Sequence, residues 1–154
     1  MPLSDPIFIS EYDELIREVL AGGGEFRLYP HGSSMLPLLR QGRDSVALRL
    51  LDRAVKPQDI LFYQRQDGSY VLHRVKACTP DGMILWGDNQ FELEYGVTQE
   101  QIIGYVARIF REDRELDQNC FAYRFYLRIW SCRILRRILL PFIYRLRNLT
   151  NQVR

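Results

Sequence analysis

The chain has few of the residues from which metal and disulfide sites are built. It contains only two histidines and three cysteines in 154 residues. The cysteines, Cys78, Cys120 and Cys132, are odd in number and far apart, which argues against a disulfide framework and suits a reducing compartment. Cys-x-x-Cys and His-x-x-x-His spacings are missing, and the glycine run 22–24 lacks the Lys-Ser/Thr of a phosphate loop. We therefore expect neither a metal nor another cofactor.

Long apolar runs are also missing. No stretch approaches the roughly 18 apolar residues that a membrane-spanning helix requires. The N-terminal segment carries Asp5, Glu11 and Asp13 instead of the positive charge that opens a secretory signal. We therefore expect a cytoplasmic protein without a membrane anchor, whose attachment to the inner face of the membrane would be peripheral.

The apolar pattern divides the chain into three parts. Residues 1–25 hold a short amphipathic helix, predicted over 11–21, which Ser10 would cap and the glycine run would end. Residues 26–117 form a β domain, and residues 118–154 form a helical tail. Strands are predicted from β-rich runs between Gly, Pro and Asp turns, at 26–30, 45–50, 59–64, 70–76, 83–87 and 102–110. The fold class is thus mainly β, a small coiled antiparallel sheet.

The tail differs sharply in charge from the rest of the chain. Residues 118–154 contain eight arginines and no acid, so a whole-chain net charge of +2 leaves −6 on residues 1–117. We predict helices over 120–139 and 142–149, separated at Pro141. Arginines mixed with aromatic and leucine side chains favour an anionic membrane surface. A partner protein, such as a membrane protein, or the acidic domain itself is the second interpretation, and nucleic acid is the least favoured because no recognised module surrounds the segment.

One turn contains a candidate catalytic nucleophile. Ser34 lies in His31-Gly32-Ser33-Ser34-Met35-Leu36-Pro37, where small residues could hold its hydroxyl away from local hydrogen bonds and place backbone N–H groups near an oxyanion. Such a short motif more often marks an ordinary loop, so the interpretation depends on partners elsewhere in the chain.

Two further segments supply such partners. His73 lies on the predicted strand at 70–76, where a histidine can be either a base or a buried spectator. Asp88 lies in Gly87-Asp88-Asn89-Gln90 after an apolar run, with Glu94 shortly beyond. An acid at a strand end could fix the histidine tautomer, although Asp-Asn after Gly is also common turn chemistry.

The order of these segments resembles the signal peptidase I superfamily of serine peptidases, which includes the LexA-type self-cleaving repressors. The resemblance covers about residues 26–110 and runs through blocks at 32–39, 42–46, 55–62, 72–75, 87–89 and 102–106. Most bacterial members have a lysine base where this chain has His73, so the chain looks like the endoplasmic-reticulum and archaeal subtype. The resemblance implies a coiled antiparallel β-sheet.

The resemblance also implies roles for individual residues. Ser34 would be the nucleophile, His73 the general base, and Asp88 the orienting acid, with Glu94 as second choice. Gly32 stands where many lysine-type members have a hydroxyl residue, so the oxyanion would be held by backbone N–H groups or by Ser33. Met35 and Pro37 complete the predicted substrate cleft.

These roles imply a serine endopeptidase that cleaves a peptide or leader segment through an acyl-enzyme. The family expectation is a substrate that binds extended, as an added strand beside the Ser34 segment, with small side chains next to the scissile bond. The alternative is a non-catalytic peptide-binding module that docks on a membrane or transporter partner through residues 120–148. A self-cleaving regulator ranks lowest, because residues 1–25 are too short for a DNA-binding helix-turn-helix.

Overall fold

The computed structural model describes residues 6–132, 137–139 and 141. The chain divides into two compact units, Met1–Leu116 and Asp117–Arg154. In the part of the chain that the structure describes, the first unit contains a helix followed by an antiparallel sheet, and the second begins with a shorter helix. The predicted fold class, mainly β with a short helix at each end, is confirmed at this level.

Within the described residues, eight strands make up the sheet. They are β1 (Phe26–Leu28), β2 (Asp44–Arg49), β3 (Ile60–Gln64), β4 (Tyr70–Thr79), β5 (Gly82–Trp86), β6 (Glu94–Val97), β7 (Ile102–Arg111) and β8 (Arg114–Glu115). Their spatial order is β1-β2-β7-β3-β4-β5-β6, and β8 pairs with β7. A 3₁₀ turn, Gln99–Gln101, precedes β7. All six predicted strands are present within a few residues, whereas β6 and β8 were not predicted.

Helix α1 (Pro6–Ala21) is longer than predicted. It begins five residues before residue 11, because Pro6 has a fixed φ that suits a first helical turn and Ser10 continues the helix instead of capping it. Ile16 and Leu20, one turn apart, are fully buried. The helix ends at the glycine run as predicted, where the N–H of Gly24 donates to the carbonyl of Val19.

The register between β3 and β4 decides which side chains share a face of the sheet. Leu61 lies opposite His73 and Tyr63 lies opposite Val71. Alternate residues of a strand point to one face, so Leu61, Tyr63, His73 and Val75 are on the same side. Leu61, Tyr63 and Val75 belong there to a buried core cluster. Phe62, Leu72 and Arg74 point to the opposite face.

In the second unit, helix α2 (Phe121–Ser131) forms the first part of the predicted tail helix. The thiol of Cys120 caps it by accepting the N–H of Tyr123 at 3.4 Å. The prediction of an unbroken helix to 139 is wrong, because Cys132 is extended, with φ −83° and ψ 107°. Cysteine is a weak helix former, and the last turn is tightened by a bond from the Cys132 N–H to the Ile129 carbonyl. Residues 137–139 are helical, and the predicted helix 142–149 lies outside the described residues.

Candidate active site

A cleft of about 650 Å³ brings the serine turn and β4 together. Ser34 and His73 both line it, and so do Gly32 and Met35. Ser33 and Pro37, which the sequence placed in the cleft, are not among its lining residues. The apolar walls come from α1, β1, β3, β4 and the segment after Ser34, through Ile9, Leu28, Leu39, Phe62, Tyr70 and Leu72.

Local hydrogen bonds hold the serine turn in shape. The carbonyl of Ser33 accepts the N–H of Leu36 at 3.1 Å. Gly32 adopts φ +85°, a left-handed conformation that glycine tolerates best, and its N–H donates to the side chain of Gln41 at 2.9 Å. These bonds use backbone groups and the Gln41 amide, so the Ser34 side chain is not needed to form the turn.

The segment 87–90 supports the serine turn from β5. The N–H of Asn89 donates to the Ser34 carbonyl at 2.8 Å, and the Asn89 side-chain amide donates to the Ser33 carbonyl at 3.0 Å. At Gly87 an added Cβ would lie 2.6 Å from the Ser34 carbonyl oxygen, so only glycine permits this close approach. Gly87 and Asn89 thus position the nucleophile candidate.

A buried ion pair fixes segment 87–90 to β4. Both nitrogens of the Arg74 fork donate to Asp88, at 2.8 and 2.7 Å, and both side chains are at most 2% exposed. A third bond runs from Arg74 to the Gln58 carbonyl at 3.0 Å. Gln58 has φ +80°, an uncommon conformation for a non-glycine residue. The bidentate geometry makes this pair strong and directional.

The structure reverses the predicted order of the two acids. Asp88, the first choice as partner of His73, pairs with Arg74, whereas the second choice, Glu94, has a carboxylate oxygen 3.7 Å from Nδ1 of His73. The reason is strand alternation: the neighbouring residues His73 and Arg74 point to opposite faces of the sheet, and Asp88 is on the Arg74 side.

Glu94 reaches His73 largely through a tyrosine. The Tyr63 hydroxyl donates to Glu94 at 2.6 Å and lies 3.3 Å from Nδ1 of His73. Arg65 holds the same carboxylate with two bonds, at 2.9 and 2.7 Å. Nδ1 of His73 therefore faces this network.

Burial decides the charge of His73. The side chain is 4% exposed, and desolvation lowers its pKa from 6.5 to about 4, against the opposing effect of Glu94. Burial on its own raises the pKa of Glu94, but the bonds from Arg65 and Tyr63 outweigh it and keep that pKa below its ordinary value. At neutral pH the imidazole is neutral and the carboxylate is charged.

Among the residues the structure describes, no hydrogen bond joins the Ser34 hydroxyl to His73. The two side chains share a cleft without being paired. Catalytic hydrogen bonds are often long in a protein without substrate and shorten only in the complex.

Strand β4 has an open edge beside the cleft. Its neighbour β5 pairs with it only from Arg74 onward, whereas β3 pairs with it from Tyr70. Val75 directs both its backbone hydrogen bonds to the segment before β3, at 2.8 and 2.7 Å. Backbone groups alternate along a strand, so those of Tyr70 and Leu72 point to the open edge.

The sequence did not identify Tyr63 and Arg65 as site residues. Tyr63 lies in the apolar run 59–64 and looked like a core aromatic, and Arg65 follows it in the hairpin to β4. The available signal was the hairpin register: with a turn at Asp67-Gly68, antiparallel pairing places Tyr63 diagonal to His73 on the same face.

Comparisons with known protein families, with curated proteins and with solved structures find no match. Within the described part of the chain, no three His, Cys, Asp or Glu side chains cluster in a way that could hold a metal ion. Over the same residues, no helix has the length and apolar character needed to cross a membrane.

The first prediction concerns the buried ion pair. Asp88→Asn should lower the free energy of unfolding by about 3–5 kcal/mol, because it leaves the Arg74 charge buried without its partner. Urea denaturation measures this. The control is Asp81→Asn, which removes the same charge at an exposed position and should change stability little. A loss below about 1 kcal/mol for Asp88→Asn would contradict the structural role.

The second prediction concerns pH. Because the pKa of His73 is lower in the folded chain than the ordinary 6.5, the unfolded chain takes up the proton first as pH falls. Stability from this group is complete above pH 6.5 and is lost towards pH 4, by up to about 3 kcal/mol. Urea denaturation at several pH values should show that His73→Gln removes this part of the loss. The exposed His31→Gln should keep it.

Proposed function

We propose that the protein is a serine endopeptidase of the signal-peptidase-like class. The observation that carries the proposal is the shared cleft of Ser34 and a buried, neutral His73 whose Nδ1 is held by a tyrosine-carboxylate network. A neutral imidazole with Nδ1 engaged in this way has the arrangement needed for a general base. The resemblance of residues 26–110 to signal peptidases supports the same reaction.

The proposed reaction proceeds through an acyl-enzyme. The Ser34 hydroxyl adds to the scissile carbonyl while Nε2 of His73 takes its proton. Collapse of the tetrahedral intermediate breaks the C–N bond, and the imidazolium returns the proton to the leaving amine. Water then adds to the ester with the same base, which releases the acid product and restores Ser34. Backbone N–H groups of the serine turn would hold the oxyanion.

The substrate would bind as an extended segment along the open edge of β4. Main-chain bonds to Tyr70 and Leu72 would give affinity without a sequence requirement, and alternate side chains would enter the cleft. The apolar walls, which include Phe62, Leu39 and Met35, favour an apolar side chain in the cleft. The volume of about 650 Å³ leaves room for more than one such group.

The third prediction separates a peptidase from a peptide-binding module. A serine-reactive peptidyl phosphonate should add one equivalent to the full chain, at Ser34, because only an activated hydroxyl attacks it at a useful rate. Intact-mass spectrometry and peptide mapping measure this. Ser34→Ala should abolish labelling, whereas the neighbouring Ser33→Ala should keep it.

The result that contradicts the peptidase is binding without reaction. If an extended peptide protects the cleft in hydrogen exchange but the phosphonate never labels Ser34, the alternative applies, a non-catalytic module that captures extended segments. Labelling that survives Ser34→Ala would place the nucleophile elsewhere.

We further propose that residues 120–148 attach the protein to an anionic membrane surface. One face of α2 supports this. Phe121 and Phe125 are 82% and 53% exposed and stack at 5.9 Å. Arg124 and Arg128 are exposed on the same face, because residues three and four apart are neighbours on a helix. Aromatic rings beside arginines suit the headgroup layer of an anionic membrane.

The fourth prediction tests this face in the full chain. Replacing both Arg124 and Arg128 by Gln should weaken flotation with phosphatidylserine-containing vesicles about 30-fold, because each basic residue near such a surface contributes about 1 kcal/mol. Neutral phosphatidylcholine vesicles should bind little. The control, Arg40→Gln with Arg114→Gln, removes the same charge from exposed positions of the first unit.

Equal flotation of both double variants would contradict a membrane role for the face. The tail would then bind a partner protein. The test for this is whether a membrane protein still retains the chain after the lipid is extracted.

A further inference from the structure

Tyr63 occupies the position between an acid and a histidine that are too far apart for a direct hydrogen bond. Oε2 of Glu94 lies 3.7 Å from Nδ1 of His73, beyond hydrogen-bond range. The Tyr63 oxygen contacts both groups, at 2.6 and 3.3 Å. The acid therefore acts on the imidazole mainly through this hydroxyl.

The single proton of the hydroxyl can serve only one of its two neighbours. Glu94 is charged, with two bonds from Arg65, so it has no proton of its own to share. If Tyr63 donated to His73 instead, its oxygen would face the carboxylate oxygen at 2.6 Å with no proton between two acceptors. The hydroxyl proton is therefore on the side of Glu94, where the bond is short and charge-assisted.

The same reasoning determines which nitrogen of His73 carries the hydrogen. Because the Tyr63 hydroxyl donates its hydrogen bond to Glu94, its oxygen can only accept a hydrogen bond from Nδ1. Nδ1 must then carry the hydrogen, which leaves Nε2 with the lone pair. From this geometry we propose that Tyr63 is a positioning residue that sets the Nδ1–H tautomer of His73 on behalf of Glu94.

The tautomer assignment is independent of the proposed function, but its importance for catalysis rests on that function. If His73 is the base that deprotonates Ser34, the Nδ1–H tautomer is the competent one, and a network built from Arg65, Glu94 and Tyr63 maintains it. Tyr63 is 0% exposed, so water does not substitute for its hydroxyl in the intact core. Glu94 orients the base without contacting the reacting atoms.

The fifth prediction is a tautomer measurement. In the full chain labelled with ¹⁵N-histidine, at pH 7.5, long-range ¹H–¹⁵N spectra should show His73 with its proton on Nδ1 and its lone pair on Nε2. His31→Gln assigns the signals, because the chain has only two histidines. Tyr63→Phe keeps the ring but removes the acceptor, and should shift His73 towards the Nε2–H form. The matched control is Tyr105→Phe, a tyrosine that packs against the same core cluster but does not line the cleft, and it should leave the tautomer unchanged.

Phosphonate labelling of the same variants supplies the kinetic readout. Tyr63→Phe should slow the labelling of Ser34 by roughly tenfold or more at neutral pH, because the competent tautomer is less populated, and Tyr105→Phe should change it less than about twofold.

Each failure has its own signature. An Nε2–H tautomer in the unaltered protein overturns the role of Tyr63, whatever the variants do, and so does an unchanged Nδ1–H tautomer in Tyr63→Phe. An Nδ1–H tautomer that depends on Tyr63, in a protein whose Ser34 never reacts, supports the positioning network and rejects the peptidase. The tautomer is read without any turnover.

Discussion

The ion pair between Arg74 and Asp88 is the interaction on which the geometry of the site depends. It is almost fully buried, and it joins the middle of β4 to the turn that follows β5. The same turn supports the backbone of Ser34, because the N–H of Asn89 donates to the Ser34 carbonyl. A buried pair of this kind contributes little net stability compared with apolar residues of similar size, but breaking it is costly. The main effect of the ion pair is to fix the position of the nucleophile candidate relative to the strand that carries His73.

Two neighbouring residues of β4, His73 and Arg74, belong to different polar networks. Arg74 points to one face and builds the support for the serine turn, while His73 points to the other and enters the polar network of Tyr63 and Glu94. The two networks thus meet at consecutive residues of one strand. A shift of the β3–β4 register by one residue would exchange their faces and separate both from their partners, so the hairpin register is itself a requirement of the site.

Much of this arrangement could be predicted from the sequence. The Gly-Ser-Ser-Met-x-Pro turn, the histidine on a β-rich run and the Gly-Asp-Asn block were recognisable because their residue types are unusual in context. The position of the acids could not be predicted, because the sequence favoured Asp88 over Glu94 as the partner of His73, and only strand alternation places Asp88 beside Arg74. Tyr63 was hidden in an apolar run, since one hydroxyl among core residues leaves no periodic signal. Strand β6 was missed because Glu94 and Gly96 are poor strand formers, and its pairing with β5 is a tertiary effect.

The short open edge of β4 has a consequence for what can enter the cleft. Beyond the end of β5, Tyr70 and Leu72 present backbone groups to any segment whose own groups are unused. In a helix or a paired strand the N–H and C=O groups already form hydrogen bonds within the protein, whereas in an unfolded stretch they are available. If a peptide pairs with this edge as proposed, the site would discriminate by conformation before it discriminates by side chain: a sequence held in a folded domain would be protected, and the same sequence would become a partner for β4 only while it is extended and unpaired.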